Sequence, residues 1–146
     1  MNNRTYKLII LVGIFLIGLS SNVSAQTEND ETANVKKRAE ELLQALREEK
    51  WNELSKFVVV VTLKKDEVTG KMIEVFQNVD NEEVKEKVIA RFKRTYGKLK
   101  PGKTAGVRLD EKNKTIAHIS YWHEDLDGFR MVLMNGEWYY KLEHLR

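Results

Sequence analysis

The feature that most constrains the fold is the dipeptide Asn135-Gly136, which lies between two runs of alternating apolar residues. Asn-Gly is the strongest short-range signal for a two-residue β-hairpin, because both turn positions need a positive φ. A turn of this length fixes which residues face each other across the two strands. The predicted pairs are Leu133 with Trp138, Met131 with Tyr140, and Phe129 with Leu142. These side chains then share one apolar face, which we expect to point into the domain.

Helices are predicted ahead of and between the strands. An amphipathic helix is predicted over residues 32–50, and a short second helix over residues 51–56. The apolar face of the first helix carries Val35, Ala39, Leu42, Leu43 and Leu46. Asp80 or Asn81 is expected to cap a third helix that ends at Gly97.

The remaining segments predict strands. The β-branched run at residues 57–63 is typical of a strand buried on both faces, and residues 72–79 follow as a second strand. Four further strands are predicted at residues 104–110, 114–123, 128–134 and 137–145. The fold class is therefore α+β: a curved antiparallel sheet of about six strands wrapped on the N-terminal helices plus one further helix.

Residues 1–25 have the pattern of a secretory signal peptide. Arg4 and Lys7 form a basic head, residues 8–19 form an apolar core, and small residues end at Ala25. The apolar core is shorter than the roughly 20 residues that a membrane-spanning helix needs. We therefore expect cleavage near Ala25 and export to the periplasm or the exterior.

Domain organisation and composition narrow the possible functions. A flexible segment at residues 26–31 and a single domain at residues 32–146 are expected after the signal peptide. The chain contains no cysteine, which excludes thiol catalysis, disulfide exchange and cysteine-ligated metal sites. Its formal charge of +3 falls toward zero once Arg4 and Lys7 are removed, so no nucleic-acid partner is expected. We expect no cofactor and no metal site.

Three segments resemble those of a known superfamily. Residues 46–54 (LREEKWNEL) are similar to its link between the first two helices, and residues 135–140 (NGEWYY) to its last strand. Residues 92–100 (FKRTYGKLK) are similar to the exit from the third helix in exported bacterial members of unknown function. The order of elements also resembles this superfamily, the nuclear transport factor 2-like proteins, which are relatives of the cystatin fold.

The resemblance implies a conical cavity between sheet and helices, and often a dimer through the outer face of the sheet. The superfamily includes dehydratases, steroid isomerases, transport adaptors and binding domains, so it leaves the chemistry open. Our leading hypothesis is a non-enzymatic binding domain that takes a small apolar ligand or forms a homodimer through Val132 and Tyr139. The expected cavity wall consists of Phe129, Met131, Leu133, Trp138, Tyr140 and Leu142.

An alternative hypothesis is a small cofactor-independent enzyme, an isomerase, dehydratase or hydrolase. Its candidate catalytic residues are His118 and Tyr140. Histidine is the residue type most often used as a general base in enzymes. The loop after the strand decides the face of His118. A four-residue loop sends His118 inward, whereas a five-residue loop sends Ala117, Ile119 and Tyr121 inward instead.

Two charged segments offer further alternatives. Lys87, Arg91, Arg94 and Lys98 fall on one stripe of the third helix. This stripe would suit an anionic envelope component, or it is an ordinary solvated helix flank. The acidic residues 124–127 could bind a hard cation, or they form a solvated hairpin loop.

Overall fold

The structure, a computed structural model, describes residues 29–98, 100–121 and 128–143. The chain divides into two compact units, Met1–Ala33 and Asn34–Arg146. The described residues of the first unit, 29–33, are helical. The predicted signal peptide, its cleavage site near Ala25 and the acidic residues 124–127 lie outside the described residues.

The predicted helices are present. Helix α1 covers residues 29–47, so helical structure is already present three residues before the predicted start at Thr32. A 3₁₀ helix, η1, covers Trp51–Phe57. Helix α2 covers Glu82–Tyr96. Among the described residues, no helix combines the length and apolar character needed to cross a membrane.

Both ends of α2 follow from its sequence. The Asn81 side chain accepts a hydrogen bond of 2.8 Å from the Glu83 backbone N–H, as expected of an N-cap residue. The helix ends before Gly97, as predicted, but Gly97 has a φ of −64° and is not left-handed. Glycine is needed there for space, because a Cβ would overlap the carbonyl oxygen of Lys93.

Six strands form one curved, open sheet in the order β2-β1-β6-β5-β4-β3. The strands are β1 (Val58–Lys65), β2 (Met72–Asn78), β3 (Thr104–Leu109), β4 (Ile116–Tyr121), β5 (Phe129–Met134) and β6 (Glu137–Glu143). Neighbours pair antiparallel except β1 and β6, which pair parallel. The parallel pair arises because α2 carries the chain to the far edge of the sheet, from which the last four strands return to β1.

The predicted hairpin turn is confirmed, together with two of the three predicted pairs. Asn135 and Gly136 have φ values of 52° and 83°, as a type I′ turn requires. Leu133 lies opposite Trp138, and Met131 lies opposite Tyr140. The register therefore sends one apolar set from β5 and β6 into the core.

The core lies between this inner face of the sheet and the helices. The predicted face of α1 is buried throughout: Val35, Ala39, Leu42, Leu43 and Leu46 are at most 1% exposed. From α2, Val88, Phe92 and Tyr96 join the same cluster. On β1 the first four residues are buried on both faces, as predicted, but the strand continues into an exposed end. The packed core thus holds the ends of α2, β5 and β6 in fixed positions.

Candidate functional site

Strand β4 turns His118 away from the core. Ala117 pairs with Met131 and Ile119 pairs with Phe129, so these residues share the inner face. His118 instead pairs with Arg130 on the opposite face, where its side chain is 39% exposed. The hypothesis of a cavity histidine acting as a general base is therefore wrong.

Asp110, whose carboxylate lies near His118, has a structural role. The Asp110 carboxylate accepts hydrogen bonds from the backbone N–H groups of Asn113 and Lys112, at 2.8 and 3.0 Å. These two bonds, with a smaller effect of His118, hold the pKa of Asp110 below its usual value. His118 Nε2 lies 3.7 Å from this carboxylate. The pair thus belongs to the β3–β4 turn.

A pocket of about 290 Å³ lies between the last turns of α2 and the ends of β5 and β6. Helix α2 contributes Arg91, Phe92, Thr95 and Tyr96. The strands and the residue before β5 contribute Gly128, Phe129, Arg130, Tyr140, Lys141, Leu142 and Glu143. The lining is mixed, whereas the sequence predicted an apolar cavity.

Aromatic rings form a continuous wall of this pocket. The ring of Tyr140 lies 5.1 Å from that of Phe92 and 5.1 Å from that of Phe129, measured between centroids. Phe92 also stacks on Tyr96 at 5.7 Å. Ring pairs at these distances stabilise each other beyond simple burial, so the rings support one another as one wall of the pocket.

Three neighbouring tyrosine hydroxyls influence one another: the hydroxyl of Tyr96 interacts with those of Tyr121 and Tyr140. Burial, together with the neighbouring hydroxyls, raises the pKa of Tyr96 far above its usual value. Burial also raises the pKa of Tyr140, although the neighbouring Tyr96 hydroxyl and the charge of Arg91 oppose the rise. These groups therefore stay protonated near neutral pH, where they can donate or accept hydrogen bonds but cannot act as bases.

Most charges around the pocket are paired. Arg130 Nη2 lies 2.7 Å from Glu143 Oε1. Lys141 Nζ, whose side chain is only 4% exposed, lies 2.7 Å from Glu74 Oε1 and 3.3 Å from Glu143 Oε1. Arg91 is exposed and forms no ion pair with any residue in the described ranges. Among the described lining residues, Arg91 is thus the cation that remains available to a ligand.

The predicted basic stripe is present in part: Lys87, Arg91 and Arg94 lie on α2, whereas Lys98 follows the helix, which ends at Tyr96. All four residues are exposed. Lys87 Nζ is paired with Glu83 Oε1 at 2.6 Å, one helical turn away. Of the stripe, Arg91 alone is among the residues that line the pocket.

The predicted cavity wall is divided by the structure. Phe129, Tyr140 and Leu142 line the pocket. Met131, Leu133 and Trp138 belong to or pack against the core and are not among its lining residues. Sequence reasoning missed the α2 side of the pocket. The signal that could have found it is the spacing of Phe92 and Tyr96 by four residues, which puts both on one face of a helix.

The residues of the predicted homodimer face lie opposite each other on the outer face of the sheet. Val132 pairs with Tyr139. Val132 is 3% exposed, and Tyr139 is half-buried with its hydroxyl donating to Glu137 Oε2 at 2.9 Å. The homodimer stays a prediction. In the part of the chain that the structure describes, no cluster of acidic or histidine side chains could hold a metal ion.

Comparison with known proteins provides no relative from which a function could be transferred. No family model, curated protein or solved structure matches the chain. The chemistry of the pocket is therefore the basis for the function proposed below.

Proposed function

We propose that this chain is an exported small-molecule binding domain of the nuclear transport factor 2-like superfamily, and that it acts without catalysis. Export is supported by the signal-peptide pattern of residues 1–25. Membership of the superfamily is supported by the element order of three helical segments and six strands. The observation that carries the proposal is the pocket between α2, β5 and β6.

The size of the pocket limits its ligand. Its volume of about 290 Å³ is at the lower end of known ligand pockets. A water-sized group occupies about 30 Å³ in a liquid, so the pocket suits a body of about ten non-hydrogen atoms. The walls of Phe92, Phe129 and Tyr140 favour a flat or apolar body.

The chemistry of the lining favours binding over turnover. Tyr96 and Tyr140 are held protonated by burial, and His118 lies on the other face of the sheet. Among the described lining residues the single carboxylate is Glu143, which is paired with Arg130 and Lys141. An isomerase of the kind considered above would need a general base that can accept a proton near pH 7. The pocket supplies hydrogen-bonding hydroxyls and aromatic surface instead.

Filling the pocket should abolish binding of a neutral aromatic probe. Thr95 is an exposed residue of α2 that lines the pocket, so the substitution Thr95→Trp would place an indole in the opening without removing core contacts. We expect isothermal titration calorimetry with 2-naphthylmethanol to show binding to the wild-type protein and at least a tenfold loss in Thr95→Trp.

The matched control is Ala90→Trp, which adds the same indole at an exposed position of α2 outside the lining. It should bind 2-naphthylmethanol like the wild type. Circular dichroism of each variant reports whether the fold is retained. The proposal fails if the wild-type protein does not bind the probe, or if a folded Thr95→Trp variant binds it undiminished.

A further inference from the structure

We infer that the ligand is an amphipathic anion, with an aromatic or apolar body inside the pocket and one acidic head group bound by Arg91. This inference rests on the proposed function and specifies its ligand class. The ligand class is thereby narrowed from small apolar molecules in general to carboxylates and anions of similar geometry.

The first supporting feature is the distribution of charge around the pocket. Glu143 accepts from Arg130 at 2.7 Å, and Glu74 accepts from Lys141 at 2.7 and 2.8 Å. These contacts commit both strand cations to carboxylates of the protein. Arg91 has no such carboxylate among the described residues, so an external anion would be its natural counter-ion.

The second supporting feature is the position of Arg91 beside the walls of the pocket. Its charge acts on the hydroxyl of Tyr140, which is a wall of the pocket. Phe92, the next residue, supplies another wall, while Arg91 itself is exposed. A guanidinium has five donors in a planar fork, which matches a carboxylate in a bidentate arrangement. Arg91 therefore lies where it can hold a head group while the attached body contacts the rings.

The third supporting feature is the partial charge at the end of α2, which favours one orientation of the ligand in the pocket. Helix α2 ends at Tyr96, and the C-terminal end of a helix carries a partial negative charge. That charge disfavours an anion deep in the pocket near Tyr96 and leaves the surroundings of Arg91 as the preferred place for the head group. The buried rings of Phe92 and Phe129 favour the apolar body at the inner end.

The test compares two probes that share a naphthalene body, 2-naphthoate and 2-naphthylmethanol. Charge-assisted hydrogen bonds are stronger than neutral ones, so we expect 2-naphthoate to bind the wild-type protein about tenfold more tightly than 2-naphthylmethanol, or better. Arg91→Ala should remove this preference, so that the two probes bind the variant with affinities within about twofold of each other. The preference should also weaken as the salt concentration rises.

Arg94→Ala is the matched control, because Arg94 is an exposed arginine of the same helix that does not line the pocket. It should keep the preference for 2-naphthoate. If both probes bind equally well and Arg91→Ala binds them like the wild type, this inference is overturned while the proposed binding function stands. If neither probe binds the wild-type protein, the proposed function itself fails and the inference fails with it.

Discussion

Replacing Phe92 with alanine should lower the free energy of unfolding by about 3–5 kcal/mol, the usual cost of removing a buried phenylalanine ring. Phe92 is 2% exposed and is among the largest fully buried side chains of the core. Its ring contacts those of Tyr96 and Tyr140, with centroids 5.7 and 5.1 Å away. The substitution would therefore open a void between α2 and the sheet and remove a wall of the pocket.

Urea denaturation followed by far-UV circular dichroism measures this loss. Ile89→Ala is the matched control, because Ile89 is an apolar residue of the same helix that is only half-buried. We expect Ile89→Ala to lower the free energy of unfolding by only about 1–2 kcal/mol, because the substitution removes less buried apolar surface than Phe92→Ala does. Equal losses for the two variants would show that Phe92 is not the anchor of α2.

Replacing Arg38 with alanine should have the second largest effect, a loss of about 2–4 kcal/mol in the free energy of unfolding. Arg38 donates from Nη2 to the Lys56 carbonyl oxygen at 2.7 Å and from Nε to the Trp138 carbonyl oxygen at 3.3 Å. Its guanidinium carbon also lies 4.5 Å from the centroid of the Phe57 ring. One side chain thus joins α1 to η1 and to β6.

Two variants test whether Arg38 stabilises the fold through its bridging contacts or only through its charge. Lys37→Ala removes an exposed cation from the adjacent position and should change stability by no more than about 0.5 kcal/mol. Arg38→Lys keeps the charge but lacks the planar guanidinium that reaches both carbonyl oxygens. Its free energy of unfolding should therefore fall by most of the amount expected for Arg38→Ala. Full stability of Arg38→Lys in urea denaturation would contradict the bridging role.

Local signals predicted much of the fold. Asn135 and Gly136 fix the hairpin register because their backbone angles suit only one turn type. Asn81 marks the start of α2 through a bond to the backbone two residues on. Such features are decided by neighbours in the sequence, so they can be predicted without knowing what packs against them.

The site was less predictable because it depends on distant contacts. The face of His118 depends on strand parity, which the sequence left undecided between two loop lengths. The pair of Lys141 and Glu74 joins residues 67 positions apart, so no local pattern reveals that Lys141 is neutralised. Nor does a local pattern reveal that Arg91 has no carboxylate partner among the described residues. The placement of α2 over β5 and β6 is likewise set by packing, and it creates the pocket.

The most direct test of the account is a crystal structure of the protein grown with 2-naphthoate. We predict that the naphthalene body lies against Phe92, Phe129 and Tyr140, with its carboxylate within hydrogen-bonding distance of the Arg91 guanidinium. A crystal in which 2-naphthoate binds elsewhere on the protein, or in which the pocket between α2, β5 and β6 holds only water, would contradict the account.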